Sequence, residues 1–461
     1  MSDSTEKTAI LVDQEKPESV IHEVEVEVPS ASFNLINSII GGGIIMLPMA
    51  MSHVGYAFGS LLLIIFGLLS GISCYLLKLV FDHTQERTYS KMAGKLFGNY
   101  FGKFIDLFQI IYSFGSVIGY AVVIADEFYL SVSYFLMDVT IPEEYLWLTS
   151  RTFIFLVVSV VFILPPCLFK NLDALKFTSL VAIIFIIYLS IVIIVQAPWS
   201  DSCQLASIAN YSCKASQCII ESNPLVASTD VSQCIEMCEQ GSVTGDSRLD
   251  LNSFLFTLSS FFSLPFFGFS NCCQVQFVPI LARLREPTSK RVNIVIYSSF
   301  IVVFIVYCID AFAGYWSFCG FTTSNILDSY PVSDIWILFC RIAISVDLCF
   351  SIPLFTHPMR DMFFTLINFN PKYIHNALVS VTVLIIAVIV AILFPNLSAV
   401  LGITGSLGSS SLMLIFPGLM YYKVCCEDKS KNQLIGKSVS ILFITLGVFF
   451  AVMGSYTTFI N

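Results

Sequence analysis

Two clusters of helix-breaking residues lie inside long apolar segments, and they are the clearest places where this chain could bind a ligand. A run of three glycines and a following proline interrupts the segment 31–51: Gly41, Gly42, Gly43 and Pro48. Glycine frees the backbone from helical geometry and allows a ligand to approach it closely. Irregular backbone at membrane depth is tolerated only where it is buried in protein or lines a cavity. The glycine run therefore predicts an unwound, ligand-accessible point.

The second cluster lies in the apolar segment 251–281. It combines prolines, a glycine and polar residues in mid-segment: Pro265, Gly268, Ser270, Asn271 and Pro279. A matched pair of interrupted segments, one opening each half of a chain, is typical of transporters built from inverted repeats. The alternative interpretation is that the small residues only let neighbouring helices pack closely.

Two of the carboxylates inside apolar segments are considered as candidates, Asp347 and Asp310. Asp347 precedes Ser351 by four residues, so both are expected on one face of a helix. A carboxylate within a membrane span is a functional candidate because its burial is costly. Asp347 is expected either to take part in cation coupling or to form a structural ion pair, for example with Arg341. For Asp310 we expect a water-exposed or structural role.

The composition explains which elements must hold these residues. Of 461 residues, 56% are hydrophobic and 12% are charged, and the mean hydropathy is +0.83. Soluble domains carry about 25% charged residues, so a bilayer is the expected solvent. No basic tract indicates nucleic-acid binding. The five histidines show no metal-ligand spacing and no catalytic constellation is visible, so we predict a protein that is not an enzyme and needs no metal or cofactor.

Eleven apolar segments are long enough to cross a membrane as helices, which requires about 20 mostly apolar residues each. They are predicted near 31–51, 56–81, 104–134, 151–169, 177–197, 251–281, 293–318, 334–355, 375–394, 398–422 and 438–460. Backbone groups must be hydrogen-bonded within the segment in lipid, and these segments do not alternate as barrel strands do. The predicted fold is an all-α membrane protein.

These segments divide the chain into five parts. We predict an acidic, disordered cytoplasmic tail over 1–30, a first repeat over 31–197, an extracytoplasmic loop over 198–250, a second repeat over 251–422 and an eleventh helix over 438–460. The outer loops in this arrangement hold only Arg151, Lys214 and Arg248 as basic residues. The orientation follows from the rule that positive charge stays inside.

The long loop carries features of an extracytoplasmic segment. Six cysteines on the predicted outer side are candidates for disulfides: Cys203, Cys213, Cys218, Cys234, Cys238 and Cys319. The alternative is that some of these thiols stay free. Asn210 begins the sequon Asn-Tyr-Ser and is a candidate for glycosylation.

Five motifs spread along the chain carry a resemblance to a known family. They are FNLINSIIGGGI at Phe33–Ile44, TYSKMAGKLFG at Thr88–Gly98, LPPCLFKNL at Leu164–Leu172, PLFTHPMR at Pro353–Arg360 and FPGLMY at Phe416–Tyr421. In this order they resemble the amino acid/auxin permease family of the amino acid–polyamine–organocation superfamily. The chain is most similar to the sodium-coupled neutral amino acid transporters.

The resemblance implies eleven helices, ten of which form a five-plus-five inverted-repeat core like that of a bacterial leucine transporter. It implies symport of an amino acid with Na⁺ or H⁺ by alternating access. A helix N-terminus favours an anion, so we expect the substrate carboxylate at the first break, formed by Ile40, Gly41, Gly42, Gly43 and Ile44. We expect the substrate ammonium at the backbone carbonyls of the second break: Phe269, Ser270, Asn271, Cys272 and Cys273.

The resemblance also predicts a cation site between the first and eighth helices. Asn37 and Ser351 match family positions, and oxygen ligands of this kind suit Na⁺; Asp347 joins them as an additional candidate. Gln274 stands where the family usually has a histidine, which puts the family's pH behaviour in doubt. Tyr120 is a candidate gate of the substrate site, with packing as its alternative role.

Two functions remain open at this point. The first is a secondary amino acid transporter, working as a monomeric unit in lipid without nucleic acid. The second is an amino acid sensor that signals through its N-terminal tail, where the acidic stretch His22–Val28 would dock a partner. The membrane is expected to be the plasma membrane or that of a lysosome or vacuole.

Overall fold

The computed structural model describes residues 26–137, 139, 142–168, 176–197, 251–427 and 433–460, and within these the chain is almost wholly helical. The first half contains α1 (Val28–Ile39), α2 (Leu47–Ser52), α3 (Tyr56–Thr84), α4 (Tyr89–Phe97), α5 (Asn99–Leu136), α6 (Arg151–Leu168) and α7 (Lys176–Gln196). The second half contains α8 (Leu264–Ser270), α9 (Gln274–Arg283), α10 (Ser289–Phe318), α11 (Ile335–Leu366), α12 (Tyr373–Leu393), α13 (Leu397–Glu427) and α14 (Gln433–Ile460).

The predicted all-α membrane architecture is confirmed. Among the described residues nine helices are long and apolar enough to cross a membrane, and α1 and α2 make a tenth if that pair is one span. The part of α7 over Val181–Gln196 is a shorter apolar helix. The predicted count of eleven spans and the inverted repeat stay predictions, as does the inside–outside orientation.

Burial separates central helices from peripheral ones. In Ser260–Arg283, 83% of the most apolar window is buried inside the protein, against 22% in α14. The long helices α5 and α11 pack along each other, and both are mostly buried. The broken sixth segment is therefore the centre of the bundle, while α14 mainly faces the surroundings that a bilayer would fill.

The start of the sixth segment differs from the prediction of a helix from residue 251. Residues 251–257 are not helical, and their backbone pairs with the turn between α2 and α3. The amide of Tyr56 donates to the carbonyl of Asn252 at 3.0 Å, and the amide of Leu255 donates to the carbonyl of Val54 at 2.8 Å. Gly55 makes this approach possible, because its φ is +83° and a Cβ there would lie 2.6 Å from the Asn252 oxygen.

A short helix that the sequence did not predict lies in the loop after α3. Helix α4 buries Tyr89, Met92, Ala93 and Leu96, and the Tyr89 hydroxyl donates to the carbonyl of Leu412 at 2.9 Å. With nine residues it is too short to cross a membrane. Its buried residues recur at helical spacing, which is the local signal for this helix between the predicted spans 56–81 and 104–134.

The two broken segments are hydrogen-bonded to each other at both of their ends. At the start of α1, the amide of Val26 donates to the carbonyl of Arg283 at 2.9 Å, and the amide of Arg285 donates back to Val26 at 3.1 Å. Glu27 adds an ion pair to Arg285 at 3.0 Å. Beyond the breaks, the Ser263 hydroxyl donates to the carbonyl of Ala50 at 2.9 Å. The segment holding α1 and α2 therefore runs beside the segment holding α8 and α9.

Candidate functional site

The first break separates α1 from α2 by an irregular stretch. The backbone leaves helical geometry at Ile40, where φ is −80° and ψ is 83°, and a 3₁₀ turn forms over Ile44–Met46. The two helices meet at 45°. Pro48 lies in the first turn of α2, where its missing N–H has no cost. The chain is thus unwound at the three glycines, as their run predicts.

The second break separates α8 from α9. Helix α8 ends at Ser270, and the φ and ψ angles of Asn271 (−98°, 1°) and Cys273 (−126°, 5°) are not those of an α-helix. Helix α9 starts at Gln274. All of these residues are buried. Irregular backbone in the middle of the bundle is therefore enclosed by protein rather than exposed to lipid.

The two breaks are in direct contact. The Ser270 hydroxyl donates to the carbonyl of Gly43 at 3.2 Å. A Cβ added at Gly43 would lie 2.6 Å from that hydroxyl oxygen and 2.9 Å from the Ser270 Cα. Such distances leave no room for any side chain at Gly43. The glycine is therefore required for the approach of one unwound backbone to the other.

Tyr307 of α10 bridges the same two breaks. Its hydroxyl oxygen lies 2.8 Å from the carbonyl of Ile39 and 2.7 Å from the carbonyl of Ser270. A hydroxyl has one proton, so it donates to one of these carbonyls at a time. The residue is 1% exposed. One side chain thus joins the last residue of α1 to the last residue of α8.

Tyr120 of α5 covers the glycine run. Its ring carbon Cε1 lies 2.8 Å from the position of a Cβ at Gly42, and its hydroxyl oxygen is the nearest atom to the position of a Cβ at Gly41. The ring packs edge-on against Phe355 at 5.6 Å. The Tyr120 side chain therefore covers the backbone to which the sequence assigns the substrate carboxylate.

The carbonyls of the second break already have donors. Each has a hydrogen-bond donor within reach: Phe269 from the amide of Cys272 at 3.2 Å, Ser270 from Tyr307 at 2.7 Å, Asn271 from Ser70 at 2.6 Å, Cys272 from Tyr112 at 3.3 Å and Cys273 from the amide of Phe277 at 2.8 Å. A carbonyl oxygen has two lone pairs. An ammonium group at this place would use the second acceptor position of each carbonyl or displace a donor.

Gln274 connects the second break to α3. Its side-chain amide donates to the Ser70 hydroxyl at 3.0 Å and accepts from the amide of Cys273 at 3.1 Å. Ser70 in turn donates to the carbonyl of Asn271. The thiols of Cys74 and Cys273 lie 3.7 Å apart beside this chain of bonds. In place of the family's histidine, the glutamine supplies a neutral link that does not titrate.

Asp347 lies on α11 in a narrow crevice against α7. The crevice is lined by Phe185, Ile186, Leu189, Cys340, Ile344 and Asp347. Asp347 is 7% exposed, and no hydrogen bond or ion pair joins it to any described residue. Ser351 lies one turn further along the same helix and is half-buried. Asn37 lies on α1. No described contact brings these three together, so their common cation site stays a prediction.

The proposed ion pair between Asp347 and Arg341 is wrong. The Nε of Arg341 lies 3.3 Å from the carboxylate of Glu127 on α5, and both side chains are fully buried. The guanidinium also donates to the carbonyls of Leu327 at 3.1 Å and Tyr330 at 3.0 Å. The six-residue offset between the two residues explains the error, because it points them to different sides of a helix.

A buried charge cluster surrounds this ion pair. Asn325 donates to Glu127 and, at 3.1 Å, to Asp328. Next to Glu127 on α5, Asp126 pairs with Arg151 of α6. Burial and the nearby Glu127 raise the pKa of the Asp328 carboxyl well above its ordinary value. The cluster therefore links α5, α6 and α11 to the segment between α10 and α11.

Sequence reasoning missed Glu127, Tyr307 and Ser70. The first had a signal, since Glu127 lies within the predicted span 104–134 and the rule that selected Asp347 applies to it as well. Tyr307 and Ser70 had none, because a tyrosine or serine in an apolar helix is ordinary and only tertiary contact reveals its partner.

The disulfide and glycosylation predictions mostly concern residues outside the described part. Cys203, Cys213, Cys218, Cys234, Cys238 and Asn210 all lie there. Cys319 is buried, and it is not among the nine free cysteines of the described residues. The disulfide pairing and the glycosylation stay predictions.

A bundle of apolar helices with two facing helix breaks at its centre defines a multi-pass integral membrane protein of the transporter class. The comparison with known families agrees with this class. Residues 25–460 match the model of the transmembrane amino acid transporter protein family, and the chain belongs to that family. It is a family of transporters and not of enzymes, so amino acid transport across a membrane is its function, as the sequence motifs imply.

Proposed function

We propose that the chain is a symporter that binds its amino acid at the two breaks and moves it by alternating access, together with Na⁺ or H⁺. The observation that carries this proposal is the contact between Ser270 and Gly43. Close packing of small residues between straight helices would not need two unwound backbones to meet. A zwitterion, in contrast, needs N–H groups and carbonyls at one place, and the two breaks supply both.

The substrate carboxylate would take the N–H groups from Gly42 to Ile44. These groups begin the 3₁₀ turn that leads into α2, and N–H groups at such a start attract an anion. The amide of Ile44 also donates to the carbonyl of Gly41 at 3.3 Å. The Tyr120 ring covers this backbone in the present conformation, with Cε1 2.8 Å from the position of a Cβ at Gly42. Substrate binding would therefore move Tyr120 away, which makes this residue the gate of the site.

The coupling ion would bind next to α11. An unpaired carboxylate buried in a membrane protein is costly unless it carries a proton or a cation. Asp347 has no such partner among the described residues, and Ser351 provides a hydroxyl one turn away. Asn37 would complete the site from α1. This arrangement suits either ion, and the sodium-coupled neutral subtype is the more specific form of the proposal.

The remaining assignments are proposed on the sequence motifs. They are a monomeric transport unit surrounded by lipid, in the plasma membrane or in that of a lysosome or vacuole. The sensor alternative depends on the stretch His22–Val28, of which Val26, Glu27 and Val28 belong to the described residues. Their contacts with the segment after α9 are intramolecular, and no observation favours a docked partner.

Uptake of radiolabelled amino acids into proteoliposomes tests the proposal. An inward Na⁺ gradient, an inward proton gradient and no gradient are compared in matched vesicles. We expect accumulation above equilibrium with one of the two gradients, and exchange of labelled for unlabelled substrate without any gradient. Binding of amino acids without exchange would favour a sensor, and uptake that never exceeds equilibrium under either gradient would rule out symport.

A further inference from the structure

Asp310 of α10 is a second buried carboxylate without a cationic partner. It is 1% exposed. Its Oδ2 accepts a hydrogen bond from the Ser190 hydroxyl of α7 at 2.7 Å. Its Oδ1 is buried and has no hydrogen-bond partner among the described residues. Of the two roles expected from the sequence, water-exposed or structural, the water-exposed one is wrong, since the carboxyl group lies inside the bundle.

No positive charge among the described residues compensates this carboxyl group. The titratable groups in electrostatic contact with it are Tyr307 on the same helix, Tyr330 in the segment before α11, and Cys340 on α11. All three are neutral at neutral pH. An ionised carboxylate in such surroundings is strongly disfavoured. The group must therefore bind a cation or a proton.

The oxygen atoms around Asp310 do not form a metal site. Hard cations take about six oxygen ligands. Of the described side chains, only Ser190 donates or accepts a hydrogen bond at this carboxyl group. One carboxyl group and one hydroxyl are too few oxygens for Na⁺. A proton needs only one of the two carboxyl oxygens.

We propose that Asp310 and Ser190 form a proton-binding site at the contact of α7 and α10, separate from the breaks and from Asp347. The proton comes from the aqueous phase and forms an O–H bond with Oδ1, because Oδ2 already accepts from Ser190. Its release to water restores the carboxylate. No other bond is made or broken.

The position of this site connects it to both parts of the proposed mechanism. Tyr307, which bridges the two breaks, lies three residues before Asp310 and thus one turn away on α10. On α7, Ile186 borders the crevice of Asp347 and Ser190 lies one turn further on. Loss of the proton would leave a charge between α7 and α10 and favour their separation. Protonation thus stabilises the packed arrangement of the helices that hold the breaks.

Infrared spectroscopy of the purified full-length protein tests the proton site without any assumption about transport. We expect the band of a protonated carboxyl group to decrease as the pH is raised, and the Asp310→Asn variant to lack this component. Ser190→Ala removes the one hydrogen-bond donor that the described residues supply to the carboxylate. The titration should therefore move to higher pH by about one unit. If both variants show the same titrating carboxyl band as the wild type, the proposal is overturned.

Transport measurements then test the coupling, which rests on the proposed symport. Transport is measured with the amino acid that gives the highest wild-type uptake. Asp310→Asn should still exchange labelled for unlabelled substrate. An inward proton gradient should accelerate its uptake at least tenfold less than it accelerates uptake by the wild type. Ser190→Ala should keep that acceleration, with its half-maximal pH shifted upwards. Ser131→Ala is the matched control, because this buried serine of α5 donates only to a carbonyl one turn back. Its pH profile should equal that of the wild type.

The outcomes separate the two proposals. Absence of any exchange by the wild-type protein would contradict the proposed symport and leave the infrared result to decide the proton site. Full response of Asp310→Asn to the proton gradient would overturn the coupling role. If that variant does not reach the membrane, an unshifted pH profile of Ser190→Ala overturns the proposal instead.

Discussion

The guanidinium of Arg341 lies 3.3 Å from the carboxylate of Glu127, and neither side chain has any exposed surface. The pair joins the two long central helices α5 and α11. Because Arg341 also donates to two carbonyls of the segment before α11, it fixes that segment to the helix pair. The ion pair is therefore structural, and it leaves Asp347 without the arginine that its sequence position offered.

Replacing one partner of this pair should strongly destabilise the protein. Arg341→Gln leaves the Glu127 carboxylate buried and uncompensated, which costs about 3–5 kcal/mol. We expect little folded protein in detergent and a lower midpoint of thermal unfolding, measured by size-exclusion chromatography and a melting curve. Equal yield and equal melting temperature would contradict the structural role.

Asp328→Asn is the control for this prediction. The carboxyl of Asp328 has a raised pKa, so its folded form binds a proton more tightly than its unfolded form does. Its contribution to stability therefore falls as the pH rises above the ordinary range of an aspartate. A neutral asparagine should remove this loss, so the variant should be at least as stable as the wild type at pH 7, and the difference should shrink towards pH 4.

Gly43→Ala should abolish uptake while the protein remains in the membrane. Its Cβ would lie 2.6 Å from the Ser270 oxygen and 2.9 Å from the Ser270 Cα, and the backbone Cα cannot move aside cheaply. Gly67→Ala is the matched control, since the nearest atom to its Cβ is 3.9 Å away. Uptake per surface-expressed molecule is the measurement. Normal uptake by Gly43→Ala would show that the substrate does not depend on the contact of the breaks.

Tyr307→Phe should reduce uptake by about tenfold, because it removes the hydroxyl that donates to the buried carbonyl of Ser270. The carbonyl of Ile39 still accepts from the amide of Gly41 at 2.9 Å. The lower uptake should come from a lower turnover rate or a weaker substrate affinity, and the amount of protein in the membrane should be unchanged. Tyr315→Phe is the control on the same helix, where the hydroxyl accepts from the amide of Asn252 at 3.0 Å, away from the breaks. Similar kinetics for Tyr307→Phe and wild type would remove Tyr307 from the site.

Asp347→Asn distinguishes the two coupling ions. If Na⁺ binds the carboxylate, the variant should need at least tenfold more Na⁺ for half-maximal uptake. If a proton binds, it should lose its pH dependence and keep any Na⁺ dependence. Asp361→Asn near the end of α11 serves as control, because that carboxylate is 70% exposed and pairs with the neighbouring Arg360. Unchanged Na⁺ and pH curves at normal expression would exclude both roles.

The sequence predicts the positions of the breaks because the causes are local. Gly41 to Gly43 and Pro48 act on their own backbone, and Pro265 opens α8 in the same way. The partners of the breaks have no local cause. Tyr307 and Tyr120 are aromatic residues in apolar helices, as many others are, and only the packing of α10 and α5 brings their hydroxyls to the unwound backbone.

Electrostatic partners were the least predictable part of the site. Burial of carboxylates follows from their place in apolar segments, but the choice of partner depends on helix rotation. A shift of a few residues moves a side chain to another face, which is why Arg341 meets Glu127 on α5 rather than Asp347 on its own helix. The same uncertainty left a water-exposed role open for Asp310, although the Ser190 hydroxyl of α7 donates to its carboxylate.

The backbone bridge between Val26 and the end of α9 has a mechanical consequence. It clamps α1 to α9 on one side of the breaks, and the bond from Ser263 to Ala50 clamps α2 to the start of α8 on the other. The four half-helices thus form two pairs, α1 with α9 and α2 with α8, and each pair can move as a unit. The unwound residues between the two pairs are the hinge. Hinge motion needs dihedral changes at only a few residues. A ligand held by those same residues would stiffen or release the hinge directly, so binding and movement would be one event.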